Sequence, residues 1–132
     1  MCYSAPIFTP TVGMIISAPD LDRWMMMHMK LGRGIGRRII KKNSALLMQE
    51  PYDAKEKYGL AISTTEKLIP GIILKGHTGS AYGLNSAMYF HPKEKYGFVV
   101  ITNGCLPGYT DGYNTVIRKT VNCLYEYFIA GK

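Results

Sequence analysis

Residues for cross-linking and metal binding are sparse in this sequence. Its three cysteines, Cys2, Cys105 and Cys123, are an odd number without C-x-x-C spacing, so neither a disulfide framework nor a structural zinc site is expected. His28, His77 and His91 stand apart and form no H-x-x-x-H or H-E-x-x-H pattern. No metal and no cofactor are therefore expected. No apolar run approaches the roughly 20 residues that a membrane-spanning helix needs, and residues 1–6 show no basic segment leading into an apolar one, so no signal peptide is expected. Internal repeats and low-complexity tracts are absent as well.

What remains is the composition of a folded domain. The chain has 132 residues, 47% of them apolar, enough to bury a core as a single domain over 1–132 and too many for disorder. Acidic residues are few, 9 against 16 basic ones, giving a net charge of +7. Much of the excess sits between Lys30 and Lys42. Such a run can bind nucleic acid or an anionic surface, or it can be a solvated, glycine-loosened loop between helices. No aromatic residues interleave with these cations for bases to stack on, so the solvated loop is expected and nucleic acid is not.

Local patterning predicts helices over 1–57 and a sheet plus a terminal helix over 58–132. Ser17, Pro19 and Asp20 form a capping signal. Leu21, Trp24, Met25 and His28 follow at helical spacing, and Gly32 and Gly34 close the element. Methionines at 25, 26, 27 and 29 surround this helix; they suit an adaptable partner-binding surface, but a helix buried by a larger parent protein is expected. Asn43 and Ser44 predict the cap of a short helix over 45–49 that stops before Pro51. Strands are predicted over 58–63, 72–75, 84–90 and 96–102, with residues 91–95 as a hairpin loop. The last strand is apolar nearly throughout, which predicts a central place covered on both faces. Tyr113, Val116, Ile117, Val121, Leu124, Tyr125 and Phe128 define one face of a final helix, with Cys123 expected in the core. The class is therefore α+β: an antiparallel sheet of three to four strands packed by a C-terminal helix.

The chemistry-bearing stretch is residues 76–83, where Gly76, Gly79 and Gly83 alternate with His77, Thr78, Ser80 and Tyr82. Glycine allows close approach to the backbone, the two hydroxyls offer hydrogen bonds, and His77 offers a polar or cationic contact. Amides beside Gly79 are suited to an oxyanion. A phosphate loop is nearly spelled from Gly71 to Thr78, but His77 replaces its lysine and the intervening residues are an apolar strand rather than the entry to a helix. A plain glycine-rich turn remains an alternative for this stretch.

The order of motifs along the chain resembles the C-terminal part of the serine β-lactamase (class C), D-alanyl-D-alanine carboxypeptidase and penicillin-binding protein family. Ser17, Asp20, Leu21, Arg23 and Trp24 resemble its capped helix S-x-x-D-L-x-R-W. Tyr58, Gly59 and Leu60 are similar to a later Y-G-L, and His77, Thr78, Gly79 and Ser80 match the third active-site motif, [KH]-T-G-[ST]. Ser86, Phe90, Pro92, Gly97, Val99 and Asn103 fall where the family's following pattern places them. The resemblance implies that His77 and Thr78 hold the carboxylate or other polar end of an acyl substrate, small molecule or peptide. It implies that Gly79 keeps the strand edge open, and that the backbone N–H of Ser80 is one of two oxyanion donors. Histidine at 77 looks more like the carboxypeptidase branch. A periplasmic or extracellular location is implied on the same ground.

The family's nucleophile lies in S-x-x-K, where lysine activates serine. None of the six serines, at 4, 17, 44, 63, 80 and 86, has lysine three residues later, and the second motif, Y-x-N or S-x-N, is missing too. A Ser80–His77 pair is not expected to serve instead, because residues three apart on a strand face opposite sides. The expectation is one wall of a cleft without the covalent step, and the alternative is a non-catalytic interaction module of the same fold, self-associating through an exposed sheet edge.

Overall fold

The first helix begins where its cap chemistry places it. In the computed structural model, which describes residues 15–53, 55–81, 83–104 and 108–131, helix α1 spans Ala18–Met29 with Ser17 as N-cap. The Ser17 hydroxyl accepts from the Asp20 amide at 3.3 Å and donates to the Asp20 carboxylate at 2.7 Å. That bond, reinforced by Arg23, holds the Asp20 carboxyl below its usual pKa. Residues 1–6, Cys2, Cys105 and Tyr82 lie outside the described residues. Lys30 is the C-cap and Gly32 turns the chain at φ +90, so the expected glycine stop is met at Gly32. Met25, Met27 and Met29 are buried.

Helix α2, Lys42–Gln49, starts three residues before the predicted position. Lys41 occupies the N-cap without a side-chain hydrogen bond, and Asn43 and Ser44 lie inside the first turn. Tertiary contact outweighs the local cap preference here: Ala45 and Gln49 are buried, and Gln49 Nε2 donates to the His28 carbonyl at 3.0 Å.

Four strands form an antiparallel sheet in the order β1-β2-β3-β4: β1 Ser63–Thr65, β2 Leu74–Ala81, β3 Leu84–Phe90 and β4 Gly97–Asn103. A two-stranded ribbon, β5 Tyr109–Thr110 and β6 Tyr113–Asn114, precedes helix α3, Thr115–Tyr125. The α+β class holds. The predicted strand over 58–63 does not form, because Ala61 takes φ +59 and the Gly59 amide bonds the Ile62 carbonyl at 2.8 Å, folding this stretch into a turn. Tyr58 joins only through isolated bridges to Asp53 and Ser63.

β2 instead runs far past its predicted end at residue 75, straight through residues 76–81, so the plain-turn and phosphate-loop readings both fall. β3 matches its prediction. Among the described residues β4 is an edge strand, not a central one. Its apolar sequence has another cause, since helices cover the sheet on both faces. α3 places Ile117 and Val121 on Leu74, Ala87, Tyr89 and Phe98. α1 places Met25 and Met29 on Met88 and Phe90 on the opposite face, with Val99 beside them. The 91–95 loop joins β3 to β4 as predicted, and Lys95 Nζ reaches back to the Met29 carbonyl at 2.9 Å, placing a cation at the end of α1.

α3 departs from its predicted face at two ends. Asn114 caps it by accepting from the Val116 and Ile117 amides, but Val116 itself is exposed. At the other end the helix widens into a π turn, Glu126–Ala130, which shifts the register so that Phe128 faces solvent while Ile129 packs inward. Cys123 is exposed, not core, because at about 100° per residue it lies roughly 200° round the helix from the inward Val121.

His28 is 0% exposed, and among the described residues neither ring nitrogen has a hydrogen-bond partner; Trp24 meets it edge-on, centroids 5.1 Å apart. Burial pushes its pKa below the ordinary 6.5. The folded chain thus keeps the ring neutral where the unfolded chain takes a proton. Its contribution to stability is fully present above about pH 6.5 and is lost as pH falls from there through the folded pKa. His28→Leu should raise the melting temperature by a few degrees at pH 7, since an unpaired buried polar group costs about 1–3 kcal/mol. The gap should widen toward pH 5; parallel pH profiles for the two proteins would refute this account.

Candidate functional site

Strand β2 changes character at Gly76. Leu74 and Gly76 are buried, whereas His77, Thr78, Gly79, Ser80 and Ala81 are all exposed. On one side β3 accompanies β2 from Lys75, opposite Phe90, to Ala81, opposite Leu84. On the other side β1 pairs only with Leu74, Lys75 and Gly76. Among the described residues no strand lies along the remaining edge.

The direction of the backbone groups on that edge follows from one hydrogen bond. Ser63 Oγ, on β1, donates to the Gly76 carbonyl at 2.8 Å, so the Gly76 carbonyl points toward β1. Backbone groups alternate along an antiparallel strand. The N–H and C=O of Thr78 and Ser80 therefore point the same way, into the open edge, while those of His77 and Gly79 point into the β3 ladder.

Side chains alternate too. His77 shares its face with Met88 and Ser86 on the α1 side, and Thr78 and Ser80 lie on the α3 side. His77 and Ser80 thus face opposite ways, as strand alternation requires. His77, Thr78 and Gly79 together line a groove of about 410 Å³ whose other wall is Trp24, Met48 and Leu60. Thr78 also borders a second groove of about 630 Å³, with Ser63, Thr65, Tyr89 and Tyr113. Ser80 and Gly79 line a small recess of about 40 Å³ beside Tyr109 and Gly112. The four predicted site residues accordingly form a thin wall between grooves, its free rim the Thr78 and Ser80 backbone.

Several participants were not singled out from sequence. Tyr58 Oη meets His77 Nε2 at 2.9 Å, their rings edge to face, which orients the imidazole and leaves Nδ1 for another contact. The Tyr58 position was visible only as part of a Y-G-L stretch. Ser63 Oγ also approaches Tyr89 Oη at 3.3 Å, and Tyr113 donates to Thr65 Oγ1 at 2.8 Å. Burial drives the Tyr89 phenol well above the usual tyrosine pKa, with neighbouring Tyr113 adding to it and the Ser63 bond opposing. It is a neutral hydroxyl throughout the physiological range. Lys75, one residue before Gly76, has its pKa lowered by burial, opposed by Glu50, and donates to the Gln49 carbonyl at 3.0 Å.

The exposed side chains of β2 and its open backbone edge present hydrogen-bonding groups to the grooves beside them. His77 Nε2 is occupied by Tyr58, and the nearby Ser86 Oγ approaches the Gly79 carbonyl at 3.5 Å. Among the described residues no group of three or more His, Cys, Asp or Glu side chains is placed to hold a metal, and no helix is long and apolar enough to cross a membrane. Comparison with protein-family models, curated proteins and solved structures finds no match for this chain.

Proposed function

We propose that this chain forms the substrate-binding wall of an acyl-transfer site of the serine β-lactamase and D-alanyl-D-alanine carboxypeptidase type, and that alone it binds acyl compounds without turning them over. The observation that carries the reading is the open rim of β2. The His77-Thr78-Gly79-Ser80 motif stands where, among the described residues, the strand has no neighbour on one side and its residues become exposed. In this reading His77, held by Tyr58, and the Thr78 hydroxyl take the carboxylate or polar end of a small-molecule or peptide substrate. Gly79 leaves room for it. The Ser80 N–H supplies one oxyanion donor, and the nucleophile and second donor come from elsewhere. A periplasmic or extracellular setting goes with the same resemblance.

The test is a titration of the isotope-labelled chain with an acyl-D-alanine, followed by backbone amide shifts. Movement is expected at Tyr58, His77, Thr78, Gly79 and Ser80, and Tyr58→Phe should weaken binding about three- to tenfold, the value of one hydrogen bond. Intact mass after incubation with a chromogenic β-lactam should show no acyl adduct. Absence of any shift at β2, or stoichiometric acylation, would overturn the proposal.

A second reading, a non-catalytic interaction module, is favoured by one observation. The outer edge of β4 has no neighbouring strand among the described residues, and such edges recruit other chains. Light scattering separates the two, because self-association that Ile101→Lys, on the same strand but outside both packed clusters, abolishes while acyl-D-alanine has no effect supports the module.

A further inference from the structure

We infer that the loop between α1 and α2 is a docking surface for an anionic lipid bilayer. Charge segregation is the first observation. Between Arg23 and Gln49 the sequence holds seven basic residues, at 23, 30, 33, 37, 38, 41 and 42, and no acidic one. The rest of the chain holds nine of each, from 16 − 7 basic and 9 − 0 acidic. The whole net charge of +7 therefore belongs to this segment. Lys30, Arg33, Arg37, Lys41 and Lys42 are exposed and have no ion-pair partner among the described residues.

The second observation is what those cations surround. Arg33 bridges Arg38, and the Gly34 amide bonds the Arg37 carbonyl at 2.9 Å, making a small hairpin with Ile35 and Gly36 at its tip. Arg38 fixes the base by donating to the Leu31 and Ile40 carbonyls at 2.8 and 3.2 Å. Ile35 is 75% exposed at that tip and Ile39 is 57% exposed at its flank. Ile39 continues into an apolar groove of about 400 Å³ with Ile16 and Trp24. A fixed hairpin with an aliphatic tip, a collar of unpaired cations and a half-exposed indole suits the boundary between headgroups and acyl chains. A polynucleotide supplies phosphates for the collar, yet leaves the isoleucine tip without an apolar partner.

The experiment is cosedimentation of the full chain with vesicles of phosphatidylcholine, alone or mixed with phosphatidylserine, at low and high salt. Emission of Trp24, the single tryptophan, is read in parallel. Binding is expected only with phosphatidylserine, falling with salt, with a blue shift of the indole emission. R33E with R37E should abolish it at about fivefold or more per charge removed. Ile35→Ser should weaken it several-fold without altering the fold, since Ile35 is 75% exposed, and Lys93→Glu, outside the segment, should leave it unchanged. Equal binding to both vesicles, indifference to Ile35→Ser, or tighter binding to single-stranded RNA at the same salt would each overturn the inference. None of these outcomes bears on the acyl-binding proposal.

Discussion

Gly76→Ala is expected to be among the most destabilising single-methyl changes in this molecule. Gly76 sits between β1 and β3, opposite Ser63 on one side and Tyr89 on the other. A methyl group there would run into the Met88 carbonyl oxygen, and would lie 2.7 Å from Tyr89 Cα and 2.8 Å from the Met88 carbonyl carbon. All three atoms are backbone, so no rotamer change relieves the clash. Separation of β2 from β3 is the remaining route, at a cost of about 4 kcal/mol or more, among the exceptional values for a point change. The melting temperature should fall by roughly 10 °C or further. Gly79→Ala is the control. Its methyl would meet only Ser86 Oγ, at 2.7 Å, a side chain free to rotate, and the cost should stay within about 1 kcal/mol. Similar unfolding midpoints for the two variants would show that β2 does not approach β3 as described.

Phe90→Ala should cost about 3–5 kcal/mol, the range for emptying a buried aromatic site. Phe90 is 1% exposed and shares a cluster with Met25, Met29, Ile62 and Met88. It joins the end of β3 to α1 and to the turn before β1, so its loss loosens two connections together. Urea unfolding followed by Trp24 fluorescence measures this directly, since Trp24 rides on α1. A midpoint within about 1 kcal/mol of the parent would mean that α1 is not seated on that face.

Local chemistry was the part of the fold most legible in the sequence. The start of α1 follows from Ser17, Pro19 and Asp20 because the cap bonds reach only three residues along the chain. β3 and the 91–95 hairpin loop were legible from alternation and turn residues. Order across the sheet was not. The run from Phe98 to Ile101 records burial on two faces, and a helix on each face writes the same pattern as a central position. The turn at 58–62 was hidden because alanine at 61 gives no hint of its φ of +59. Cys123 sits beside the inward Leu124 in the chain, yet the helical turn carries it to the outward face, and its apolar character conceals that.

For the candidate site, the residues were legible and their setting was not. Glycines and hydroxyls at 76–80 suggest a turn as readily as a strand, and only the long pairing with β3 resolves them into one. The sharing of His77 with Tyr58 spans 19 positions, beyond any local pattern. The open edge depends on β1 stopping at Ser63, a consequence of the Ala61 turn that the sequence conceals.

The two helices are fastened to the sheet by different materials. α3 is anchored through branched Ile117 and Val121, whose stiff side chains fit one seat. α1 is anchored largely through thioethers, which bend and re-seat with little penalty. A small slide of α1 would therefore meet far less resistance than the same slide of α3. Because Trp24 on α1 walls the cleft facing His77, the width of that cleft is adjustable on the helix side and fixed on the strand side.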